Sequence, residues 1–199
     1  VLPADHFISS TAKFRSVLLD SMRFAKSETA LVTIGIKPEE PATGYGYIQV
    51  DEKIIDSKSR SLKSTFHNVK RFVEKPDLSK AKRYIKNGSY RWNAGMFIWS
   101  YTSISAEMKR QQPMLYAAID RWLSITSLSK LNATLSAEYP KLNKISVDYA
   151  IMENAENIVC ADGSFGWDDL GSWPALARHI KSDDYGNCGI GDNVQFDSS

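Results

Sequence analysis

Two aspartates far apart in the chain, Asp5 and Asp169, interrupt apolar runs in Pro3-Ala4-Asp5-His6 and in Gly166-Trp167-Asp168-Asp169-Leu170-Gly171-Ser172-Trp173. An acidic residue just past a strand end can hold a divalent cation, and Mg2+ accepts one or two carboxylates together with phosphate oxygens. Taken one at a time, aspartates beside glycine or proline more often close turns or cap helices, so the metal reading depends on the two meeting in space. His6 has no other histidine near it in sequence and suits a structural hydrogen bond better than a base or a ligand.

Phe72-Val73-Glu74-Lys75-Pro76 sets a carboxylate beside an ammonium. Neighbours on a regular strand point to opposite faces, but ahead of Pro76, where the strand stops, both can turn toward one pocket. There Glu74 can accept sugar hydroxyls and Lys75 can meet a phosphate; the plainer alternative is an exposed charged pair at a strand end. Asn93, followed by the small Ala94 and Gly95, can donate and accept while the backbone approaches a ligand, or can mark a tight bend before a core strand. Thr43-Gly44-Tyr45-Gly46-Tyr47 leads into a strand, without the Lys-Ser/Thr ending of a phosphate loop or the helix of a dinucleotide fingerprint. It reads as a turn where Gly46 lets a sugar ring lie against backbone. Trp92, Trp99, Trp167 and Trp173 read mostly as packing residues. No Ser-His-Asp or Cys-His arrangement offers a nucleophile.

These groups need a scaffold. Phe14, Val17, Leu18, Met22 and Ala25 recur at helical spacing behind Thr11, a competent N-cap, which predicts a helix from Thr11 to Lys26. Leu31 to Ile36 is a β-branched run stopped by Lys37-Pro38, and Tyr47 to Val50 starts another extended run. Phe66 to Lys75 is extended up to Pro76; Asp77 or Ser79 then caps a helix that turns Leu78, Ala81 and Ile85 inward and ends at Asn87-Gly88. Met96 to Tyr101 reads as a buried strand and leads into helices on either side of Pro113. Ser146 can cap a helix through Asn154, Ile158 to Ala161 is a short strand, and Pro174 can open a last helix through Ile180. Strands alternating with helices predict an α/β domain with a mostly parallel or mixed sheet and a ligand site at the carboxyl ends of its strands.

Composition narrows the function classes. With 43% apolar and 24% charged residues the 199-residue chain is an ordinary globular sequence, and no uncharged apolar run is long enough for a bilayer. The net charge of +2 is spread along the chain, which gives no electrostatic case for nucleic acid or an anionic membrane. The densest basic group, Lys80, Lys82, Arg83 and Lys86, suits a solvated helix face. Cys160 and Cys188 lack metal-site spacing and read as reduced and structural. Val1 to Ser10 has none of the features of a secretory signal, so a cytoplasmic location is the default expectation.

In order, Leu2-Pro3-Ala4-Asp5-His6, Gly44-Tyr45-Gly46-Tyr47-Ile48, Phe72-Val73-Glu74-Lys75-Pro76, Trp92-Asn93-Ala94-Gly95-Met96-Phe97, Ser146-Val147-Asp148-Tyr149-Ala150-Ile151-Met152-Glu153 and Trp167-Asp168-Asp169-Leu170-Gly171-Ser172-Trp173 resemble the mannose-1-phosphate guanylyltransferases, and they extend over nearly the whole chain. The resemblance implies a mixed, mostly parallel sheet flanked by helices, a Rossmann-like nucleotidyltransferase fold incomplete at its N-terminus, with residues 1–182 in that domain and 183–199 starting a β-rich tail. It implies a Mg2+-dependent reaction of mannose 1-phosphate with GTP, giving GDP-mannose and pyrophosphate. By the same resemblance Asp5 and Asp169 hold the metal, Glu74 and Asn93 contact mannose hydroxyls, Lys75 faces the sugar phosphate, Gly46 and Gly95 give close backbone contact, and Asp148 lies near the pocket. It admits a homodimer and gives no role to nucleic acid or membrane. A nucleotidyltransferase for another sugar phosphate and a non-catalytic sugar-nucleotide-binding regulator are the rival readings.

The family opens with a glycine-rich, basic nucleotide-binding segment of the GGxGxRLxP kind, and nothing in Val1 to Ser199 resembles it. The expectation is therefore a chain with the acceptor side of the site and little GTP binding. In a guanylyltransfer assay the isolated chain should yield no appreciable GDP-mannose; robust product formation would contradict this.

Overall fold

The computed structural model describes residues 1–54, 62–171, 173–183, 186–189 and 191. Helix α1, Thr11–Ser27, starts one residue earlier than its capping pattern suggests: Ser10 is the N-cap, and its side chain makes no capping bond. Val17, Asp20, Ser21, Phe24 and Ala25 form its buried face, with Phe24 stacked on Phe66 at 4.4 Å. Met22, expected inward, is exposed. The apolar residues alone misplace the arc because two of its buried members are polar. Asp20 earns its burial through bonds: Oδ2 accepts from the Lys63 and Ser64 amides at 2.9 and 3.0 Å and from the Ser64 hydroxyl at 2.9 Å.

Strand β1, His6–Ile8, precedes α1, and β2, Leu31–Ile36, is buried along its whole length. Strands β3, Tyr47–Ile54, and β4, Phe66–Val73, pair antiparallel. Helix α2, Leu78–Asn87, is capped by Asp77, whose Oδ1 accepts from the Lys80 amide at 2.9 Å, and it ends with Gly88 in the left-handed conformation. That amide and the Lys80 ammonium pull the Asp77 pKa below the usual carboxylate range. Ala81 is fully buried, whereas Leu78, expected inward, is exposed at the first turn.

Strand β5 runs from Tyr90 to Ile98, longer than its apolar tail suggested, and leads into α3, Tyr101–Gln111, through a Ser100–Ser103 capping box. Pro113 opens α4, Pro113–Leu123, and α5, Leu128–Glu138, follows, with a 3-10 turn at Tyr139–Lys141. The helix predicted from Ser146 to Asn154 breaks in two: α6, Val147–Ala150, and a 3-10 turn, Met152–Asn154, with no side-chain cap from Ser146. Strands β6, Ile158–Gly163, and β7, Trp167–Asp169, and the short helix α7, Trp173–Ala177, complete the order; α7 stops short of Ile180.

The α/β class is as expected, but the mostly parallel Rossmann-like sheet is not what forms. The strands close into a five-stranded barrel, β2-β5-β3-β4-β6, in which only β2 and β6 run parallel. Alternation along a sequence limits how the chain can return, not which strand becomes a neighbour. Here β5 enters between β2 and β3, running against both, so α2 does not join two adjacent parallel strands. Closure leaves none of the five strands with an unpaired edge. Ile48, Val50 and Cys160 pack together as one small buried cluster, while α1 and α2 join a larger one around Val32, Ile34 and Trp92. Both cysteines are free; Cys160 is buried, which pushes its thiol pKa strongly up, while Cys188 is exposed. The β-rich tail expected over 183–199 lies largely outside the described residues; within them Ser182 bridges Cys188.

Replacing Asp20 with alanine strands two backbone amides and a hydroxyl. The expected loss is about 2 to 3 kcal/mol of unfolding free energy in urea denaturation, and a loss within measurement error would show that water replaces the carboxylate.

Candidate functional site

A cleft of about 640 Å³ opens where the β1–β7 ladder meets the barrel. Across that ladder His6 pairs with Asp169 and Phe7 with Asp168. Alternation sends the two aspartates of β7 to different partners. Asp168 takes Arg178 bidentately and His179 at 2.7 Å, which holds its carboxyl below the usual range, the Arg178 bonds contributing most. Asp169 lines the cleft, and its Oδ1 accepts from the Gly171 amide at 2.8 Å. His6 also lines it, and its Nδ1 accepts from the Trp167 indole N–H at 3.0 Å. That bond assigns the ring proton of neutral His6 to Nε2 and matches the structural use read from sequence.

Glu74 and Lys75 both line the cleft and form an ion pair at 3.3 Å. Adjacent side chains share a pocket here because Lys75 leaves the strand with φ 40°, in the left-handed region that a non-glycine rarely occupies. Such a backbone costs about 1 to 3 kcal/mol. Opposite them, Gly46 lies against the Glu74 carboxylate: a Cβ at position 46 would stand 2.6 Å from Glu74 Oε2. Any side chain there would drive Glu74 from its place.

Strand β5 supplies the third wall. Its register with β2 passes from Phe97 opposite Thr33 to Asn93 opposite Gly35, so Ala94, Gly95 and Met96 span what Ile34 alone spans on β2. Gly95 makes this bulge possible with φ 63°. Asn93 Oδ1 accepts from the Gly95 amide at 3.0 Å and, more weakly, from the Thr33 hydroxyl at 3.4 Å; its Nδ2 donates to Asp148 Oδ1 at 2.8 Å. Asp148, on α6, is therefore a partner of Asn93 as well as a lining residue.

Seven of the eight residues singled out from sequence thus line one cleft: Gly46, Glu74, Lys75, Asn93, Gly95, Asp148 and Asp169. Asp5 does not line it. It is exposed and sits one residue before His6, the ladder partner of Asp169. Among the described residues no group of three or more metal-ligating side chains is assembled. Tyr45 and Trp167 add an aromatic edge, packed T-shaped at 5.5 Å, and Trp92 beneath them is buried, so packing and lining roles divide among the tryptophans. The side chain of Trp173 lies outside the described residues.

Sequence reading gave no role to Glu153. Partial desolvation of its carboxyl first, and then the charges of Asp148 and Glu74, raise its pKa above the ordinary glutamate value although the residue as a whole is exposed. Apart from His6, the formal charges in the lining are Glu74, Asp148 and Asp169 against Lys75, a net of −2. A phosphate therefore needs more positive charge here than Lys75 brings.

The nucleotidyl transferase family model matches residues 1–184. The chain is 36% identical to a mannose-1-phosphate guanylyltransferase of Sinorhizobium fredii, over 94% of this chain and 35% of that protein. It is 35% identical to the xanthan biosynthesis protein XanB of Xanthomonas campestris, over 99% of this chain and 40% of that protein. It thus spans well under half the length of these curated relatives. A solved structure described as a mannose-1-phosphate geranyltransferase from Thermus thermophilus aligns with a TM-score of 0.75 at 34% identity, covering 92% of this chain and 49% of that one. No helix among the described residues is long and apolar enough to cross a membrane.

Because the folded-state pKa of Glu153 is raised, ionising it opposes folding: stability is greatest below its unfolded pKa and falls as pH rises through the folded value. Glu153 is exposed and solvent screens its charge, so Glu153→Gln should raise the melting temperature at pH 7 only slightly, with the gain shrinking toward zero near pH 4. A variant less stable at pH 7 than the parent would show that Glu153 is held by favourable contacts instead.

Proposed function

The chain belongs to the nucleotidyl transferase family, and from that premise we propose that it carries the sugar-phosphate side of a mannose-1-phosphate guanylyltransferase, receiving mannose 1-phosphate for reaction with GTP to give GDP-mannose and pyrophosphate. The observation that carries this reading is the convergence of Glu74, Lys75, Asn93, Gly95, Asp148 and Asp169, from separate strands, loops and a helix, on one cleft. The similarity to mannose-1-phosphate guanylyltransferases and the length of chain it covers support it.

The residues divide the work by chemistry. Glu74 accepts sugar hydroxyls, held in place by the ion pair to Lys75 and by the absence of a side chain at Gly46. Asn93 keeps one amide N–H beyond the one given to Asp148, and that hydrogen is free for a second hydroxyl. Gly95 opens the backbone beside it. Lys75, with its ammonium largely exposed, meets the phosphate. Asp169, with Oδ2 clear of the Gly171 bond, and Asp5, adjoining the same ladder, are the carboxylates that would hold Mg2+. The donor set fits that hard cation: carboxylate oxygens, with phosphate oxygens to complete the shell. Bound there, the ion would offset the negative lining and the repulsion between two phosphate esters brought together for in-line attack. Two free cysteines are compatible with a cytoplasmic setting.

Titration calorimetry with mannose 1-phosphate tests the proposal. Binding should require Mg2+, and Lys75→Ala should weaken it roughly 10- to 100-fold, as expected for loss of a charge-assisted bond. Affinity indifferent to both Mg2+ and Lys75, or equal affinity for glucose 1-phosphate, would refute the assignment.

A further inference from the structure

A second cavity, of about 490 Å³, lies between the α3–α4 corner and the segment from Tyr139 to Ile151. Trp99, Ile104, Met108, Leu115, Leu142 and Val147 give it apolar walls. Among the described residues, the only charged side chains lining it are Lys141 and Lys144, and no carboxylate lines it. Both lysines are exposed, and the neighbouring Glu138 is bonded by Arg121 and, at 2.7 Å, by the Trp122 indole N–H, with the Lys141 charge a weaker influence on it. Three more lining residues, Met114, Tyr139 and Ile145, are exposed apolar side chains that an occupant would cover.

We propose that this cavity is a second ligand site, for a small molecule with an apolar body and one acidic group. The volume falls within the range of about 300 to 1,000 Å³ typical of small-molecule sites. Apolar walls with two cations and no anion favour an amphiphilic anion over a neutral hydrocarbon or a cation.

The site adjoins the sugar-phosphate cleft through α6. Val147 and Ala150 line the apolar cavity, while Ser146, Asp148 and Tyr149 line the cleft, so one turn of helix is the wall between them. The end of α3 grips that wall. Gln112 Nε2 donates to the Ala150 carbonyl at 3.1 Å and Gln111 Nε2 to the Ile151 carbonyl at 2.9 Å, satisfying acceptors that so short a helix leaves unpaired. An occupant wedged between α3 and α6 acts on the same turn that presents Asp148 to Asn93. Neither the site nor this connection depends on which sugar phosphate the cleft takes.

Decanoate, titrated below its micelle concentration into the 15N-labelled chain, is the probe. The expected result is saturable one-to-one binding, with decylamine bound at least about tenfold more weakly and Lys141→Glu/Lys144→Glu weakening decanoate by a similar factor, the size of one charge-assisted contact. The double variant changes only exposed side chains and should melt with the parent. Leu115→Trp, which fills the cavity from α4, should abolish binding. Amide signals of Asn93 and Asp148 should move together with those of Val147 and Ala150. Non-saturating binding, equal affinity for decylamine, insensitivity to the charge reversals, or burial of the groove by self-association in sedimentation would each overturn the site. Shifts confined to α3 and α4 would overturn its connection to the cleft.

Discussion

The geometry of the cleft depends on where β5 runs. By pairing antiparallel with both β2 and β3, this strand ties β2 to β3, and its bulge over Ala94, Gly95 and Met96 begins directly after Asn93. The bulge is anchored twice. Asn93 Oδ1 holds the Gly95 amide, and Asn93 Nδ2 holds Asp148 from a segment 55 residues further along. Bulge, asparagine and α6 thus form one connected unit.

Charge imposes the second constraint. The cleft has more carboxylates than cations, which suits a polyhydroxylated ligand and disfavours a phosphate. Under the proposed function, recognition of a sugar phosphate by such a lining would divide in two: Glu74 and Asn93 would read hydroxyls, while the phosphate would depend on Lys75 and on a cation held by carboxylates. On that reading, acidic residues can crowd a site that receives an anion. Asp148 and Asp169 each have Oδ1 engaged, Asp148 by the Asn93 side chain and Asp169 by the Gly171 amide, so what separates them is the partner: one steadies a β5 residue, the other its own turn.

Much of this was legible from local pattern. The strand stop at Pro76, the Asp77 cap, the Gly88 end and the buried run Leu31–Ile36 follow from backbone preferences that act within a few residues. The joint placement of Glu74 and Lys75 was one of two open readings, and it rests on a left-handed Lys75 that local preference opposes. What could not be read was set by distant partners. Strand neighbours are chosen by packing across the whole domain, so the closed, mainly antiparallel barrel replaced the expected parallel sheet. Asp20 is inside and Met22 outside because amides from Lys63 and Ser64 come to meet the aspartate. Glu153 is perturbed by desolvation and then by the charges of Asp148 and Glu74, and nothing at its own position announces these surroundings.

The left-handed lysine sets a limit on redesign. At φ 40° a glycine would rest more comfortably than any L-residue, so the chain's own conformational preference at position 75 favours deleting the very ammonium proposed to meet the phosphate. Efforts to harden the protein by relieving backbone tension would select against ligand affinity at this position first, which makes it a poor place to seek thermal tolerance.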